Sequence, residues 1–270
     1  MISDLWYKNA VVYCLSVGTY MDSNGDGVGD FQGLVRRLDY LHGLGVTAIW
    51  LMPFQCSPGR DDGYDISDYY CVNPAYGTLG DFVEFTHAAK QRGIRVLIDL
   101  VVNHTSDQHA WFQEARRDPK SKYRDWYVWS EKKPPHFDQG MVFPGVQKST
   151  WTRDPVAKQW YFHRFYKFQP DLNTSNPAVQ AEILKIMGFW IQLGVSGFRM
   201  DAVPFVIAKK GPEVTGEPDE QFDMLRDFRA FAGMTPTAFR ALADGWGMTV
   251  LACRLGMLRA SWSGRGRALR

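Results

Sequence analysis

The sequence predicts an α/β fold in which helices cover a parallel sheet, and three observations carry that prediction. Apolar runs of strand length alternate with longer stretches whose apolar residues recur at helical spacing. The apolar runs are largely continuous, which is typical of strands buried on both faces of a parallel sheet. Polar residues gather where these runs end, and both (β/α) barrels and open parallel sheets place ligands there. No run leads into a GxGxxG turn, so the pattern argues against a dinucleotide site.

Four strands and three helices are predicted in alternating order. The predicted strands are residues 10–17, 45–53, 94–104 and 195–203. The predicted helices are residues 31–43, 79–92 and 177–193. Gly93 and Gly194 follow the last two helices, where glycine commonly ends a helix, and Pro177 stands near the start of the third.

Residues 105–175 interrupt the alternation. They are rich in Trp, Tyr, Pro and charge, and about 70 residues are too many for a plain connection between two strands. We therefore predict an inserted subdomain. The predicted organisation is 1–104 for the first part of the sheet domain, 105–175 for the insertion, 176–230 for its continuation and 231–270 for a tail. The tail has six Arg but a single acidic residue, Asp244.

Composition excludes several function classes. The net charge of +2 comes from mixed signs without a basic cluster, so no nucleic-acid partner is expected. No stretch approaches 18 consecutive apolar residues, and the first residues lack a signal-peptide pattern, so we expect no membrane association. The cysteines show no metal-ligand or redox spacing, and a reduced cytoplasmic protein is the simplest interpretation. They are Cys14, Cys56, Cys71 and Cys253.

The stretch DSNGDGVGD, residues 22–30, resembles the first nine positions of a calcium-binding loop. Its oxygen donors would be the side chains of Asp22, Asn24, Asp26 and Asp30 and the carbonyl of Val28. The twelfth position is Gly33 and not the bidentate Glu of an EF-hand, so a cation site of another type is expected. The alternative is a solvated Asp/Asn/Gly turn.

Charged residues in two of the predicted strands are the strongest candidates for catalytic residues. Arg199 and Asp201 are two residues apart on the fourth strand and therefore project to one face. Asp99 lies inside the apolar third strand, where a carboxylate is costly unless a cation such as Arg199 pairs with it. A neighbouring guanidinium favours the ionised carboxylate that a nucleophile attacking an anomeric carbon requires. A purely structural ion pair remains the alternative.

Two further positions could contact a polar ligand. Asp65, beside Tyr64, could accept hydrogen bonds from two neighbouring sugar hydroxyls at once. His104, at the end of the third strand, could donate to a ligand hydroxyl. Taken alone, the segment around Asp65 favours an ordinary turn.

Taken together and in order, these stretches resemble the alpha-amylase family (glycoside hydrolase family 13). The segments GVTAIWLMP, DLVVNH and GFRMDAV are similar to three of its ordered motifs. QPDLN, residues 169–173, resembles a hallmark of its oligo-1,6-glucosidase and trehalose synthase branch, and DSNGDGVGDFQGL resembles the calcium loop of that branch. RDDGYDISDYY and HRFYKFQPDLN are most similar to its trehalose synthases, and the resemblance extends over about residues 4–230.

The resemblance implies the N-terminal half of a (β/α)8 TIM barrel, with a B domain inserted after the third strand. It implies Asp201 as the nucleophile and Arg199 as its partner. Tyr64, Asp65, Asp99 and His104 would form the subsite for the cleaved sugar, and the 22–30 loop would hold a structural calcium ion. The implied substrate is a small α-glucoside such as maltose or trehalose, and the reaction is either glucosyl transfer or hydrolysis.

The same resemblance implies a glutamate as general acid beyond the fourth strand. The sequence has no Glu after Glu220. Near Phe231 the resemblance stops and the composition shifts to Arg, Gly and Ala. We therefore expect a truncated family member without measurable turnover, whose residues 231–270 come from a shifted reading frame.

Overall fold

The computed structural model describes residues 6–212 and 222–231. Its strands are β1 (Val12–Leu15), β2 (Ala48–Leu51), β3 (Gln55–Cys56), β4 (Asp68–Val72), β5 (Arg95–Leu100), β6 (Trp129–Ser130), β7 (Trp151–Arg153), β8 (Trp160–Phe162) and β9 (Gly197–Met200). Its α-helices are α1 (Val17–Tyr20), α2 (Phe31–Arg36), α3 (Leu38–Gly43), α4 (Leu79–Gln91), α5 (Ala110–Arg117), α6 (Pro177–Gln192), α7 (Val203–Val206) and α8 (Phe222–Phe231). Within these described ranges, no helix has the length and apolarity needed to cross a membrane.

The central sheet contains four parallel strands in the order β1-β2-β5-β9. Each lies within one of the four predicted strands, and β2 is buried along its whole length. The register places Asp99 of β5 directly beside Arg199 of β9. Because parallel strands end at the same edge, this register brings the polar residues after β5 and β9 together.

The helices cover the sheet largely as their periodicity predicts, with one difference. The predicted helix over 31–43 is divided into α2 and α3 at Arg37, whose φ and ψ of −103° and 0° leave helical geometry. The apolar spacing runs through the break because Leu34 and Leu38, on either side, both reach the same core. Helix α4 begins with a reciprocal capping box between Thr78 and Asp81.

An aromatic cluster fills the space between the sheet and its helices. Phe54 stacks on Phe82 with ring centroids 5.0 Å apart, and both meet the edge of Trp190. The Trp190 indole donates to the carbonyl of Tyr69 at 2.9 Å, so this fully buried ring leaves no unsatisfied donor. Each such side chain stabilises the fold by about 1.5–3 kcal/mol through burial.

The predicted insertion contains a three-stranded antiparallel sheet in the order β6-β8-β7. Its own small apolar core is formed by Val128, Trp151 and Phe162. The amide of Thr105 donates to the carbonyl of Pro170 at 3.1 Å, so the chain leaves and returns beside the end of β5. The domain boundaries at 105 and 175 stay a prediction, and residues 232–270 of the predicted tail lie outside the described residues.

The cysteines differ from the sequence-based expectation. Cys56 of β3 and Cys71 of β4 form a disulfide with their Cα atoms 5.8 Å apart. The expectation of four reduced cysteines is therefore wrong for this pair. A separation of 15 residues does not disclose that a short antiparallel hairpin makes the two side chains neighbours. Cys14 is exposed on β1, and Cys253 lies outside the described residues.

Candidate active site

Three charged side chains form a continuous chain at the ends of β5 and β9. The Arg199 Nη1 donates to Asp99 Oδ1 at 2.8 Å and to Asp201 Oδ1 at 2.6 Å. The Asp99 side chain is fully buried, whereas those of Arg199 and Asp201 are each 13% exposed. The structure thus contains the predicted Asp99–Arg199 ion pair and leaves Asp201 as the carboxylate with some access from solvent.

Burial and the neighbouring charges shift the pKa values of Asp99 and Arg199 in opposite directions. Burial raises the pKa of Asp99 to about 6, with a further contribution from Asp201, although Arg199 opposes the shift. Burial alone would lower the pKa of Arg199, but the carboxylates of Asp99 and Asp201 outweigh it and raise that pKa. Arg199 therefore remains a cation that holds Asp201 in place.

Tyr64 and His104 lie next to these charges. The Tyr64 hydroxyl donates to Asp99 Oδ2 at 3.1 Å, and the His104 Nε2 lies 3.0 Å from the Tyr64 carbonyl. Because a carbonyl only accepts, Nε2 must carry the proton, and Nδ1 is then available to accept from Asn103 Nδ2 at 3.3 Å. Burial lowers the pKa of His104, which favours this neutral form. A sugar hydroxyl would have to replace one of these contacts.

Asp65 is committed to its own loop. Its Oδ1 accepts from the Ser57 hydroxyl at 2.9 Å and from the amide of Asp61 at 3.1 Å. Its Oδ2 accepts from the amide of Arg60 at 3.2 Å. The carboxylate is fully buried, so in this conformation it closes the turn before Tyr64. The predicted contact with sugar hydroxyls stays a prediction.

Sequence reasoning missed a second buried ion pair behind His104. Lys210 Nζ lies 2.9 Å from Asp171 Oδ2 and donates to Asn103 Oδ1 at 2.8 Å and to the carbonyl of Leu172 at 3.0 Å. Both charged side chains are almost completely buried. Asp171 belongs to the motif QPDLN, which is recognisable in the sequence, so its importance could be predicted. No sequence pattern distinguishes Lys210 from its exposed neighbour Lys209.

Comparisons with known proteins decide the family. A family model described as "Alpha amylase, catalytic domain" matches residues 16–241, which is most of the chain. The chain belongs to the alpha-amylase family. Since the catalytic domain of this family is a (β/α)8 barrel, the parallel strands β1, β2, β5 and β9 correspond to the N-terminal half of that barrel.

Relatives within the alpha-amylase family include trehalose synthases and an oligo-1,6-glucosidase. The chain is 46% identical to a trehalose synthase/amylase of Mycolicibacterium smegmatis over 92% of its own length and 42% of that protein. It is 52% identical to a trehalose synthase of Thermus thermophilus, covering 80% of the chain and 22% of the relative. An oligo-1,6-glucosidase of Bacillus cereus is 44% identical over 79% of the chain and 38% of the enzyme.

Solved structures of the family superpose well on the described fold. A trehalose-6-phosphate hydrolase of Bacillus licheniformis gives a TM-score of 0.77 at 37% identity, covering 84% of the chain and 42% of the hydrolase. A trehalulose synthase mutant gives 0.73 at 40% identity, covering 88% of the chain and 42% of the synthase. The chain thus spans less than half the length of these alpha-amylase family relatives.

The glycine-rich loop at 22–30 has oxygen donors of the type that calcium prefers. Gly25 and Gly27 adopt φ values of 83° and 89°, which let the backbone fold back on Asp22. Asp22 accepts amide hydrogens from Gly25 at 2.7 Å and Gly27 at 2.8 Å, and Asp30 caps α2 through the amide of Gly33. Nowhere in residues 6–212 or 222–231 do three or more His, Cys, Asp or Glu side chains converge as a metal-binding group.

The absence of a glutamate at the twelfth loop position has a steric cause. A Cβ at Gly33 would lie 2.1 Å from the carbonyl oxygen of Met21, so no side chain fits there. The loop is held against α2 by this close approach, and the donor chemistry of its remaining oxygens still fits a calcium ion.

Proposed function

We propose that this chain carries the nucleophile side of an active site that cleaves α-glucosidic bonds by a retaining mechanism. The observation that carries the proposal is the chain of contacts from Asp99 through Arg199 to Asp201, at the C-terminal ends of two adjacent parallel strands. (β/α) barrels place their catalytic groups at this end.

In the proposed reaction, Asp201 attacks the anomeric carbon of the glucosyl group. Arg199 holds one carboxylate oxygen and so orients the other for attack. As the bond from Asp201 to the anomeric carbon forms, the glycosidic bond breaks and the leaving oxygen takes a proton from a general acid. Asp99 is positioned by Tyr64 and fixes the orientation of the Arg199 guanidinium from its other side.

The proposed substrate class is a small α-glucoside, and the proposed reaction is interconversion of maltose and trehalose. The 46–52% identity to trehalose synthases supports transfer of the glucosyl group to the anomeric hydroxyl of glucose. The alternative is hydrolysis, supported by the 44% identity to an oligo-1,6-glucosidase. In both reactions Asp201 would carry the glucosyl group, and only the acceptor differs.

An activated aryl α-glucoside tests the proposed nucleophile, because cleavage of this substrate needs no general acid. Because a dinitrophenolate leaves without protonation, the chain should release a single burst of phenolate without further turnover, and this burst should be absent in Asp201→Ala. With maltose as the substrate of an intact relative, formation of trehalose would indicate transfer, whereas free glucose alone would indicate hydrolysis. Equal phenolate release by the chain and by Asp201→Ala would contradict the proposed nucleophile.

We also propose that the 22–30 loop binds a structural calcium ion. Asp22, Asn24, Asp26 and Asp30 would supply side-chain oxygens and Val28 its carbonyl. The support is the all-oxygen donor set on a loop whose glycines allow tight turns. A bound ion would link the end of α1 to the start of α2.

A further inference from the structure

The disulfide between Cys56 and Cys71 encloses a segment of the candidate site. Strand β3 has only two residues, and its pairing with β4 shifts register between Gln55 and Cys56. A hairpin this short has few backbone hydrogen bonds to keep its strands together. The disulfide is therefore the strongest link across the base of residues 57–70.

Residues 57–70 carry the groups closest to the buried charges. Tyr64 donates to Asp99, and its carbonyl contacts His104. The C-terminal part of the segment is also anchored in the core by Ile66 and Tyr69. Residues 57–63 are held by hydrogen bonds and ion pairs, including that between Arg60 and Asp107. Since these polar contacts are individually weak and reversible, loss of the covalent link beside them would let residues 57–63 open more often.

Both cysteines are accessible to small molecules. Cys56 and Cys71 are each half-buried, so their bond can be reached by a thiol from solvent. Their Cα separation of 5.8 Å lies in the usual range for a disulfide, so the bond forms without moving the backbone. An accessible pair of this kind exchanges with the thiols of its surroundings.

We propose that Cys56 and Cys71 are a reversible disulfide that restrains residues 57–63, which lead into Tyr64 and its contact with Asp99. Oxidation removes two electrons and two protons from the thiols by exchange with a low-molecular-weight disulfide, which is reduced to two thiols. A dithiol reverses the reaction and becomes a disulfide itself. The consequence for sugar binding rests on the proposed function, whereas the redox control of the segment does not.

The first test maps the bond. The purified chain is equilibrated with glutathione disulfide, alkylated with iodoacetamide under denaturing conditions, and digested for mass spectrometry without reductant. We expect a peptide pair linked through Cys56 and Cys71, with Cys14 and Cys253 each alkylated or joined to glutathione. After treatment with a dithiol, all four cysteines should be alkylated. Alkylated Cys56 and Cys71 in the oxidised sample would overturn the proposal.

The second test measures opening of the segment by limited proteolysis with trypsin. Arg60 is exposed, but the amides of Arg60 and Asp61 are bonded to Asp65, so cleavage after Arg60 requires these contacts of residues 57–63 to open. Cleavage after Lys158, an exposed turn residue between β7 and β8, does not involve this segment. The ratio of the two cleavage rates should rise about tenfold or more on reduction, because proteolysis follows local opening. Cys56→Ser should have the high ratio in both redox states, and Cys14→Ser should respond like the wild type.

An unchanged ratio in the wild type on reduction would show that the disulfide does not hold the segment. This comparison uses one polypeptide in two redox states, so it remains decisive even if Cys56→Ser fails to fold. Neither readout involves a glucoside, so failure of these tests is distinct from failure of the proposed function.

Discussion

At the scale of single residues, the candidate site is organised by the cost of burying charge. Asp99 is fully buried, and its cost is reduced by Arg199 on the neighbouring strand and by the Tyr64 hydroxyl. The sequence predicted this pairing because a carboxylate within an apolar strand needs a cation. It did not predict that His104 would use both ring nitrogens within the protein, since that depends on where the Tyr64 carbonyl lies.

The shifted pKa of Asp99 predicts a pH-dependent stability. Its pKa rises from 3.8 in the unfolded chain to about 6 in the fold, so between these values the folded state binds the additional proton. The free energy of unfolding of the wild type, relative to Asp99→Asn, should therefore fall by about 2 kcal/mol as the pH rises from 4 to 7. Urea denaturation of both proteins at the two pH values measures this. A difference that does not change with pH would contradict the shift.

The Lys210–Asp171 pair predicts a large effect from a single substitution. Lys210→Met leaves Asp171 as a buried carboxylate without its cation, which should destabilise the fold by about 3–5 kcal/mol. Lys90→Met, at an exposed position of α4, should change stability by less than about 0.5 kcal/mol. Chemical denaturation of the two variants compares them directly. Equal stabilities would mean that solvent reaches Asp171 and takes the place of the ion pair.

At the scale of elements, short loops determine how the site is assembled. The 22–30 loop joins α1 to α2, the segment between β3 and β4 carries Tyr64, and the insertion returns through QPDLN beside the end of β5. Periodicity predicted the helices and strands but not these loops. The break at Arg37 and the disulfide were also missed, because both depend on tertiary neighbours rather than on local pattern.

The calcium proposal predicts a stability change that depends on the loop carboxylates. Adding Ca²⁺ should raise the midpoint of thermal unfolding, because an ion that binds only the folded state stabilises it by mass action. Asp26→Ala should abolish this response, whereas Asp118→Ala, an exposed carboxylate at the end of α5, should retain it. Calorimetry with and without a chelator makes the comparison. An unchanged midpoint of thermal unfolding of the wild type on addition of Ca²⁺ would contradict the proposed calcium site.

At the scale of the whole molecule, the four parallel strands could be predicted because continuous apolar runs are difficult to place anywhere except in a sheet covered on both faces. Their assignment to half of a (β/α)8 barrel came from the order of the motifs, since the alternation alone also fits an open sheet. The described fold places Asp99, Arg199 and Asp201 together at one sheet edge. Whether this arrangement performs chemistry depends on the reactivity of Asp201.

The most direct measurement of that reactivity is covalent labelling of Asp201. An α-glucosyl fluoride with a second fluorine on the sugar ring needs no general acid to react, and the added fluorine slows loss of the glucosyl group from the protein. We predict that mass spectrometry after incubation finds one added fluoroglucosyl group, located by peptide mapping on Asp201, and that Asp201→Asn remains unlabelled. An unmodified wild-type chain, or a label on another carboxylate, would contradict the assignment of Asp201 as the nucleophile.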